Sequence, residues 1–293
     1  MMPLKARPST YSIVAHDPQT GDLGIAVQSK FLAVGAVVPW ARAGVGAIAT
    51  QSYANTSYGP QGLTLLTQGH SAQETIDILT KGDSDREQRQ VGIVTANGDA
   101  ATFTGNQCYD WAGGFAGNNF CCQGNILVSE KTVEAMASTF ETSSGSLAER
   151  LLAALAAGQA AGGDSRGQQS AALRVVRERG GYGGFNDIWL DLRVDDHTSP
   201  IDELERLYEL HQLYFQQSDP TDLIEITAEL AREIQADLAQ LGYYQAEVND
   251  QYTTETRQAL WDFCGTENLE ERWQTDSQID PQVLHFLQQK ARE

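Results

Sequence analysis

The order of the predicted elements constrains the fold of this chain more than any single motif does. Thr10–Ala15 and Leu23–Ser29 are rich in apolar and β-branched residues, and the segment between them carries Pro, Gly and Asp, so a β-hairpin is predicted. Two helices are predicted much later, at Glu130–Phe140 and Leu147–Ala161, and strands follow them. Strands on both sides of a helix pair favour an α+β fold in which a sheet packs against a layer of helices.

Other parts of the first 200 residues carry clear local signals. Ser71 and Glu74 form a capping-box pattern at the start of a helix, and Asn97-Gly98 marks the tip of a hairpin over Gln88–Gly105. The remaining predicted elements are an apolar segment, three buried strands and one short helix: Val34–Val38, Ala47–Gln51, Ala171–Arg177, Ile188–Val194 and Tyr58–Gln68.

The pattern changes near residue 200, where helical periodicity replaces strands. From Arg206 onward the chain has 17 acidic and 6 basic residues, a net charge of −11. We therefore predict an α+β domain over residues 9–200, a linker helix over 201–221 and a small all-α domain over 222–293. The predicted helices of this part are Ile201–Phe215, Leu223–Leu241, Thr254–Phe263 and Pro281–Lys290.

Charge and composition exclude several classes of function. The chain has 39 acidic and 20 basic residues, a net charge of −19, which disfavours nucleic acid and anionic membranes as partners. The sequence has no stretch of about 18 apolar residues, so no transmembrane helix is predicted. The basic N-terminus lacks the apolar segment of a secretory signal, so a cytoplasmic location is expected. A small molecule is the expected partner.

The four cysteines do not predict a metal site. Cys121 and Cys122 are adjacent, and Cys108 and Cys264 are not spaced from them as in a metal-binding pair. Free, buried thiols are expected instead, and neither a metal nor another cofactor is predicted.

Thr10 is the first candidate catalytic residue. A threonine that begins a strand followed by a hairpin is typical of N-terminal-nucleophile hydrolases, in which a free α-amine acts as the base for the hydroxyl of its own residue. Thr10 meets that requirement only if the nine residues before it are removed. The alternative is a threonine with no role beyond strand formation, since threonine is common in strands.

Two polar segments supply further candidates. Gln51 and Asn55 lie at the end of a buried strand, where amides can stabilise an oxyanion or bind a substrate. In Thr104–Asn125, aromatic residues such as Trp111 alternate with amides such as Asn125, as in the lining of a small-molecule pocket. The alternatives are a turn capped by Asn55 and a long ordered loop.

Arg166 is the candidate for binding a substrate carboxylate, because a guanidinium can hold it through two parallel hydrogen bonds. Asp164 would orient the arginine. The alternative is an internal turn in which Asp164 and Arg166 pair only with each other. A metal site at Asp195, Asp196 and His197 is disfavoured, since neighbours along a strand point to opposite faces.

Three separated segments resemble a known family. The run from SIVAHDPQTGDLGIAVQSK to ATQSYANTSYGPQGL, with GDSRGQQSAALRVV and GGYGGFNDIWLDLRVDDHTSP, closely resembles the family of unknown function DUF1028 over about residues 9–210. That family is regarded as similar to N-terminal-nucleophile hydrolases, which implies a four-layer αββα sandwich. Its members often begin with Met-Thr ahead of the first strand, whereas nine residues precede Thr10 here.

The resemblance implies an amide-bond hydrolase that acts on a small molecule. Thr10 would attack, Gln51 or Asn125 would stabilise the oxyanion, and Arg166 would bind a substrate carboxylate. The alternative is a non-catalytic ligand-binding or assembly protein that keeps the sandwich. A homodimer is also expected for a sandwich of this kind.

The acidic tail resembles a second family. The pattern EIQADLAQLGYYQAEVNDQYTTETRQALWDF, with two helices around Leu-Gly-Tyr-Tyr, is similar to a peptidoglycan-binding module over about residues 222–292. The resemblance implies peptidoglycan as a partner. The alternative is a helical binding or assembly unit with another ligand.

Overall fold

Twelve strands and eight α-helices alternate along the part of the chain that the computed structural model describes, residues 10–293. The expected domain start at Ser9, and the nine residues ahead of Thr10, lie outside this part. The strands are β1 (Thr10–His16), β2 (Leu23–Ser29), β3 (Pro39–Arg42), β4 (Gly46–Ser52), β5 (Arg89–Thr95), β6 (Ala100–Thr104), β7 (Gly113–Gly117), β8 (Phe120–Asn125), β9 (Ser170–Val176), β10 (Ile188–Val194), β11 (Ile224–Glu225) and β12 (Gln278–Ile279).

The helices are α1 (Tyr58–Thr67), α2 (Ala72–Lys81), α3 (Lys131–Thr142), α4 (Leu147–Ala160), α5 (Pro200–Phe215), α6 (Ala228–Gln240), α7 (Thr254–Thr266) and α8 (Pro281–Arg292). The chain divides into two compact units between Arg206 and Leu207, inside α5. The chain has no loop at this division, because α5 continues through it without a break.

Two antiparallel sheets form the centre of the first unit. Six strands pair in the order β10-β9-β2-β1-β8-β7, and four pair in the order β3-β4-β5-β6. The sheets pack face to face, with β1 against β4 and β5 and with β5 also against β8. Helices α3 and α4 cover the outer face of the six-stranded sheet, and α1 and α2 cover that of the four-stranded sheet. The predicted α+β class is confirmed, and the first unit has four layers.

Local sequence signals explain where several elements begin. Ser71 and Ser146 cap α2 and α4, and in each case a glutamate three residues later completes the capping box. The hairpin of β5 and β6 turns at Asn97-Gly98, where Gly98 has a φ of 82°, a value that glycine adopts without strain. The predicted capping box at Ser71 and the predicted hairpin tip at Asn97-Gly98 are confirmed, and the capping box at Ser146 is a finding of the structure.

Two predicted segments of the first unit have a different structure. Thr104–Asn125 is not a long loop, because β7 and β8 form a hairpin that pairs with β1. Glycine has a low strand propensity, and the pairing with β1 overcomes it. Val34–Val38 contains a short 3-10 turn at Val34–Ala36, with β3 beginning at Pro39.

The second unit is helical but not all-α. The predicted helix from Leu223 begins only at Ala228, because the Thr227 side chain caps it and the preceding strand β11 pairs with β12. Helices α6, α7 and α8 enclose a core that includes Ile234, Phe263 and Leu287. No helix within residues 10–293 is long and apolar enough to cross a membrane.

The layer between the two sheets changes character along the strands. At the end of β1 near His16 it is apolar, with Val14, Ile25 and Val94 among its buried residues. At the other end polar side chains fill it, and Gln51 and Gln123 are almost fully buried there. Buried polar groups are stable only when they are hydrogen-bonded, so this end requires a specific network.

Gly92 makes room for that network, and its replacement should destabilise the first unit. A Cβ atom at Gly92 would lie 2.0 Å from Oε1 of Gln123. We expect Gly92→Ala to lower the free energy of unfolding by about 1–3 kcal/mol, the usual effect of overfilling a packed interior. Calorimetry or denaturant unfolding measures the shift. Gly82→Ala is the matched control, because its nearest contacts would be at 3.9 Å. Equal midpoints for both variants would contradict the close packing.

Candidate functional site

Thr10 is the first residue of β1, a central strand of the six-stranded sheet. Ser29 of β2 and Asn125 of β8 are its register partners on either side. The Thr10 hydroxyl lies 3.1 Å from the Ser29 hydroxyl, and Thr10 is 3% exposed. Its side chain points into the polar end of the layer between the sheets.

Two amide side chains from different sheets converge on the Thr10 carbonyl oxygen. Gln51 donates to it from Nε2 at 3.3 Å, and Asn125 donates from Nδ2 at 3.4 Å. The same two nitrogens donate to Oε1 of Gln90, at 2.8 and 2.9 Å respectively. Gln90 in turn donates to the carbonyl oxygen of Gly124 at 2.7 Å. The network therefore connects both sheets and fixes the backbone of Thr10.

Ser12 and Gln123 extend the network away from Thr10. The Ser12 hydroxyl donates to Oε1 of Gln51 at 2.6 Å, and Nε2 of Gln123 donates to the Ser12 hydroxyl at 2.7 Å. Because the carbonyl oxygen of Thr10 can only accept a hydrogen bond, the amide group of Gln51 can have only one orientation. Its nitrogen must then face Thr10 and Gln90.

A cavity of about 290 Å³ opens beside Thr10 at this end of the sheets. Apolar side chains form one part of its wall, and polar ones form the other. The lining residues are Thr10, Phe31, Val34, Val37, Val38, Gln51, Ser52, Tyr53, Ala54 and Arg89. This volume is at the small end of the range for ligand-binding pockets, and the mixed lining is typical of them.

Left-handed residues surround this end of the sheets. Ser52 and Ile126, which directly follow Gln51 and Asn125, have φ values of 65° and 52°, and Ala33 beside the cavity has 54°. Such a conformation costs a residue other than glycine about 1–2 kcal/mol. These left-handed residues mark the strand ends, because Ser52 is the last residue of β4 and Ile126 is the first residue after β8.

Arg89 is the charged residue of the cavity wall, and an ion pair holds it there. Its Nε donates to Oδ2 of Asp83 at 2.9 Å, and its Nη1 donates to the carbonyl oxygen of Tyr53 at 2.7 Å. Both side chains of the pair are mostly buried. The hydrogen bond from Arg89 is the largest cause that lowers the pKa of Asp83 far below its usual value.

Asn55 does not line the cavity beside Thr10. Its Nδ2 donates to Oδ2 of Asp83 at 2.9 Å, and its Oδ1 accepts hydrogen bonds from Ser57 at the start of α1. Tyr58 donates to the same carboxylate oxygen at 3.1 Å. Asn55 therefore helps to fix Asp83, and it also makes the turn that was the alternative for it.

Asp164 and Arg166 form the internal turn pair. Arg166 donates to both carboxylate oxygens of Asp164, at 3.2 and 3.1 Å, and Asp164 also accepts from the backbone N–H of Lys30 at 2.9 Å. Trp111 lies just before β7, where its backbone pairs with that of Leu127. None of these residues belongs to the cavity lining, although Lys30 directly follows Ser29.

Sequence reasoning missed Ser29, Gln90 and Arg89. The signal for Ser29 was the hairpin register, which places the last residue of β2 opposite the first of β1. Gln90 and Arg89 begin β5 and pair with Gln51 and Ser52. No three His, Cys, Asp or Glu side chains within residues 10–293 come together as a metal-binding group.

The comparisons with known proteins agree on the first unit. Residues 10–204 match the family described as "Family of unknown function (DUF1028)". A solved structure, protein SPO2555 from Silicibacter pomeroyi, which its title assigns to DUF1028, is similar at 33% sequence identity with a TM-score of 0.64. The match covers 70% of this chain and 86% of that one.

The mixed α+β fold with its two packed sheets defines the class of the protein, and the match defines the family. The chain belongs to DUF1028. Residues 214–287 match a second family, described as "Putative peptidoglycan binding domain". No curated protein matches the chain.

The Asp83–Arg89 pair should make the stability of the first unit depend on pH. The folded pKa of Asp83 is lowered, so its ionisation stabilises the fold above the unfolded value of about 3.9. That contribution is lost as the pH falls from there through the folded pKa. We expect Asp83→Asn to be about 1.5–3 kcal/mol less stable at pH 7, as for a lost charge-assisted hydrogen bond.

Denaturant unfolding between pH 7 and pH 2 measures this effect. The difference between the wild type and Asp83→Asn should shrink below about pH 4. Asp77→Asn is the control, because Asp77 lies on the exposed side of α2 and bonds only to Gln73 through its side chain. A difference that stays constant down to pH 2 would show that ionisation of Asp83 does not stabilise the fold.

Proposed function

We propose that this protein is an amide-bond hydrolase of the N-terminal-nucleophile type, with Thr10 as the nucleophile and a small molecule as the substrate. One observation carries the proposal: Thr10 begins a central strand, and it lines a cavity of ligand-binding size at the strand end. The four layers of the first unit support it, because the resemblance to N-terminal-nucleophile hydrolases implies that order of helices and sheets.

The chemistry requires the Thr10 nitrogen to be a free amine. An α-amine has a pKa of about 7.7–8.0, so it can take the hydroxyl proton near neutral pH. The Thr10 oxygen would attack the substrate carbonyl carbon, and the resulting ammonium would protonate the leaving nitrogen as the C–N bond breaks. Water would then hydrolyse the ester on Thr10 and regenerate the hydroxyl.

Gln51 and Asn125 support this chemistry as positioning residues. Their amide nitrogens donate to the Thr10 carbonyl oxygen and to Gln90, so these N–H groups are directed away from a substrate oxyanion. We therefore assign them, within this proposal, the role of positioning Thr10 in place of the expected oxyanion role. Ser52 and Arg89 line the cavity and have the donor groups that such an oxyanion needs.

A second candidate function is binding without catalysis. Within the part of the chain that the structure describes, the cavity lining includes no His, Asp, Glu or Lys that could act as a base for the Thr10 hydroxyl. A chain that keeps a peptide bond at the Thr10 nitrogen therefore has a binding cavity without a base. In that form we expect it to bind the ligand and leave it unchanged.

Processing and activity should depend on Thr10 together. A chain that begins at Thr10 is expected to hydrolyse at least one member of a panel of small amides. Mass spectrometry measures the products. Thr10→Ala should lower the rate by a factor of about 10³ or more, as loss of a nucleophile does in other hydrolases. Thr10→Ser is the conservative control and should keep measurable activity. A chain that begins at Pro8 keeps a peptide bond at the Thr10 nitrogen and should be inactive, and equal rates with and without a free amine on Thr10 would overturn the mechanism.

We also propose that the second unit binds peptidoglycan. The match of residues 214–287 supports this, and Trp261 presents an aromatic ring that is 40% exposed and packs edge-on against Trp273 at 5.2 Å. An exposed aromatic ring is the kind of surface that binding sites use.

Sedimentation with purified peptidoglycan tests this second proposal on the full chain. We expect Trp261→Ala to lower the bound fraction several-fold, because it removes the exposed ring. Tyr182→Ala is the control, since Tyr182 is an aromatic residue of the first unit and is 85% exposed. A full chain that stays in the supernatant at all polymer concentrations would reject peptidoglycan as the ligand.

A further inference from the structure

Arg89 differs from the other arginines in its position, because it lines the cavity beside Thr10. Among the lining residues within 10–293 it is the one with a charge at neutral pH, and none of them is acidic. An arginine has five N–H donors in a fixed plane. A donor that makes no hydrogen bond within the protein can donate to a ligand.

Four of the five donors have partners among residues 10–293. Nε and Nη2 donate to the two oxygens of Asp83, at 2.9 and 3.4 Å, and Nη2 also donates to Asp85 at 3.5 Å. Nη1 donates once, to the carbonyl oxygen of Tyr53. The second N–H of Nη1 has no partner among residues 10–293, and since Arg89 lines the cavity, this N–H is the donor that we assign to a ligand.

The support behind Arg89 keeps the guanidinium in place. Asp83 accepts hydrogen bonds from Asn55, Tyr58 and the backbone N–H of Asp85 in addition to Arg89. A carboxylate with this many donors stays ionised. Arg89 is therefore oriented before a ligand arrives, which reduces the entropy cost of binding.

Another part of the cavity lining is apolar. Phe31, Val34, Val37 and Val38 give an apolar surface, and Val34 and Val38 are almost fully buried. A ligand that fills the cavity must place an apolar group there, since a polar group would lose its hydrogen bonds with water. The volume of about 290 Å³ equals that of roughly ten water molecules, so the ligand is small.

We propose that the substrate is a small amide with one carboxylate, bound by Arg89, and one short apolar group, bound by the Phe31–Val38 segment. This rests on the proposed hydrolase function for its reaction, but the binding part stands without it. It also moves carboxylate recognition from Arg166 to Arg89. Asp83 is then a positioning residue that acts through Arg89.

Calorimetric titration of the full chain with three simple probes tests the proposal. N-Acetyl-L-leucine has the carboxylate and the apolar group, its C-terminal amide lacks the carboxylate, and N-acetylglycine lacks the apolar group. We expect N-acetyl-L-leucine to bind about tenfold or more tightly than each of the others, as for a charge-assisted hydrogen bond and a buried side chain.

Variants assign each preference to its part of the cavity. Arg89→Met should abolish the preference for the carboxylate, and Arg89→Lys should keep part of it because the charge remains. Val37→Thr should weaken the binding of N-acetyl-L-leucine and leave that of N-acetylglycine unchanged. Arg177→Met is the matched control: Arg177 makes a two-bond pair with Asp22 at the opposite end of the strands. Asp83→Asn should lower the carboxylate preference without changing the preference for leucine over glycine.

The outcomes separate this proposal from the hydrolase proposal. Equal affinity for the acid and the amide, no binding of any probe, or a carboxylate preference that survives Arg89→Met would overturn it. Loss of the preference in Arg166→Met with Arg89→Met unaffected would return the role to Arg166. If the binding pattern holds but a chain beginning at Thr10 cleaves no amide, only the hydrolase proposal fails.

Discussion

The buried amide network between the sheets is the interaction on which the site depends. Gln51 and Gln90 come from one sheet and Asn125 from the other, and their hydrogen bonds meet at the carbonyl oxygen of Thr10. Buried amides without partners would cost about 1–3 kcal/mol each, so the two sheets can pack in this polar region only in one register. The network thus fixes the backbone of Thr10 through directional hydrogen bonds, which an apolar core does not supply.

The same constraint explains the shape of the cavity. Ser52 and Ile126 are in the left-handed region where β4 and β8 end, and the cavity beside Thr10 opens at these strand ends. The cavity has an apolar wall from one segment and a charged wall from β5. The apolar and the charged parts of the cavity therefore come from two segments whose sequences can vary separately.

The sequence predicts the elements of this fold better than the site. The capping box at Ser71 and the turn at Asn97-Gly98 are local signals, and the structure has a helix and a hairpin at those places. Thr10 and Gln51 were found because strand ends are visible in the sequence. The strands β7 and β8 were missed because glycine-rich segments pair only in the context of a neighbouring strand.

The remaining site residues depend on contacts that no local pattern encodes. Arg89 is brought to Thr10 by strand register and by Asp83, whereas Arg166 pairs with Asp164 in the turn that the sequence offered as an alternative. The left-handed conformation of Ser52 has no glycine to mark it. These features follow from tertiary packing, which the local pattern of a single sequence does not encode.

The support behind Arg89 reaches into the outer helical layer. Tyr58 is in α1 and Asn55 just precedes it, and both hold the carboxylate that holds the arginine. Substitutions in that layer can therefore shift ligand preference without touching a cavity wall. Relatives that share every lining residue could diverge in selectivity through these two positions, and laboratory evolution of this protein would find its useful changes there as well as in the cavity.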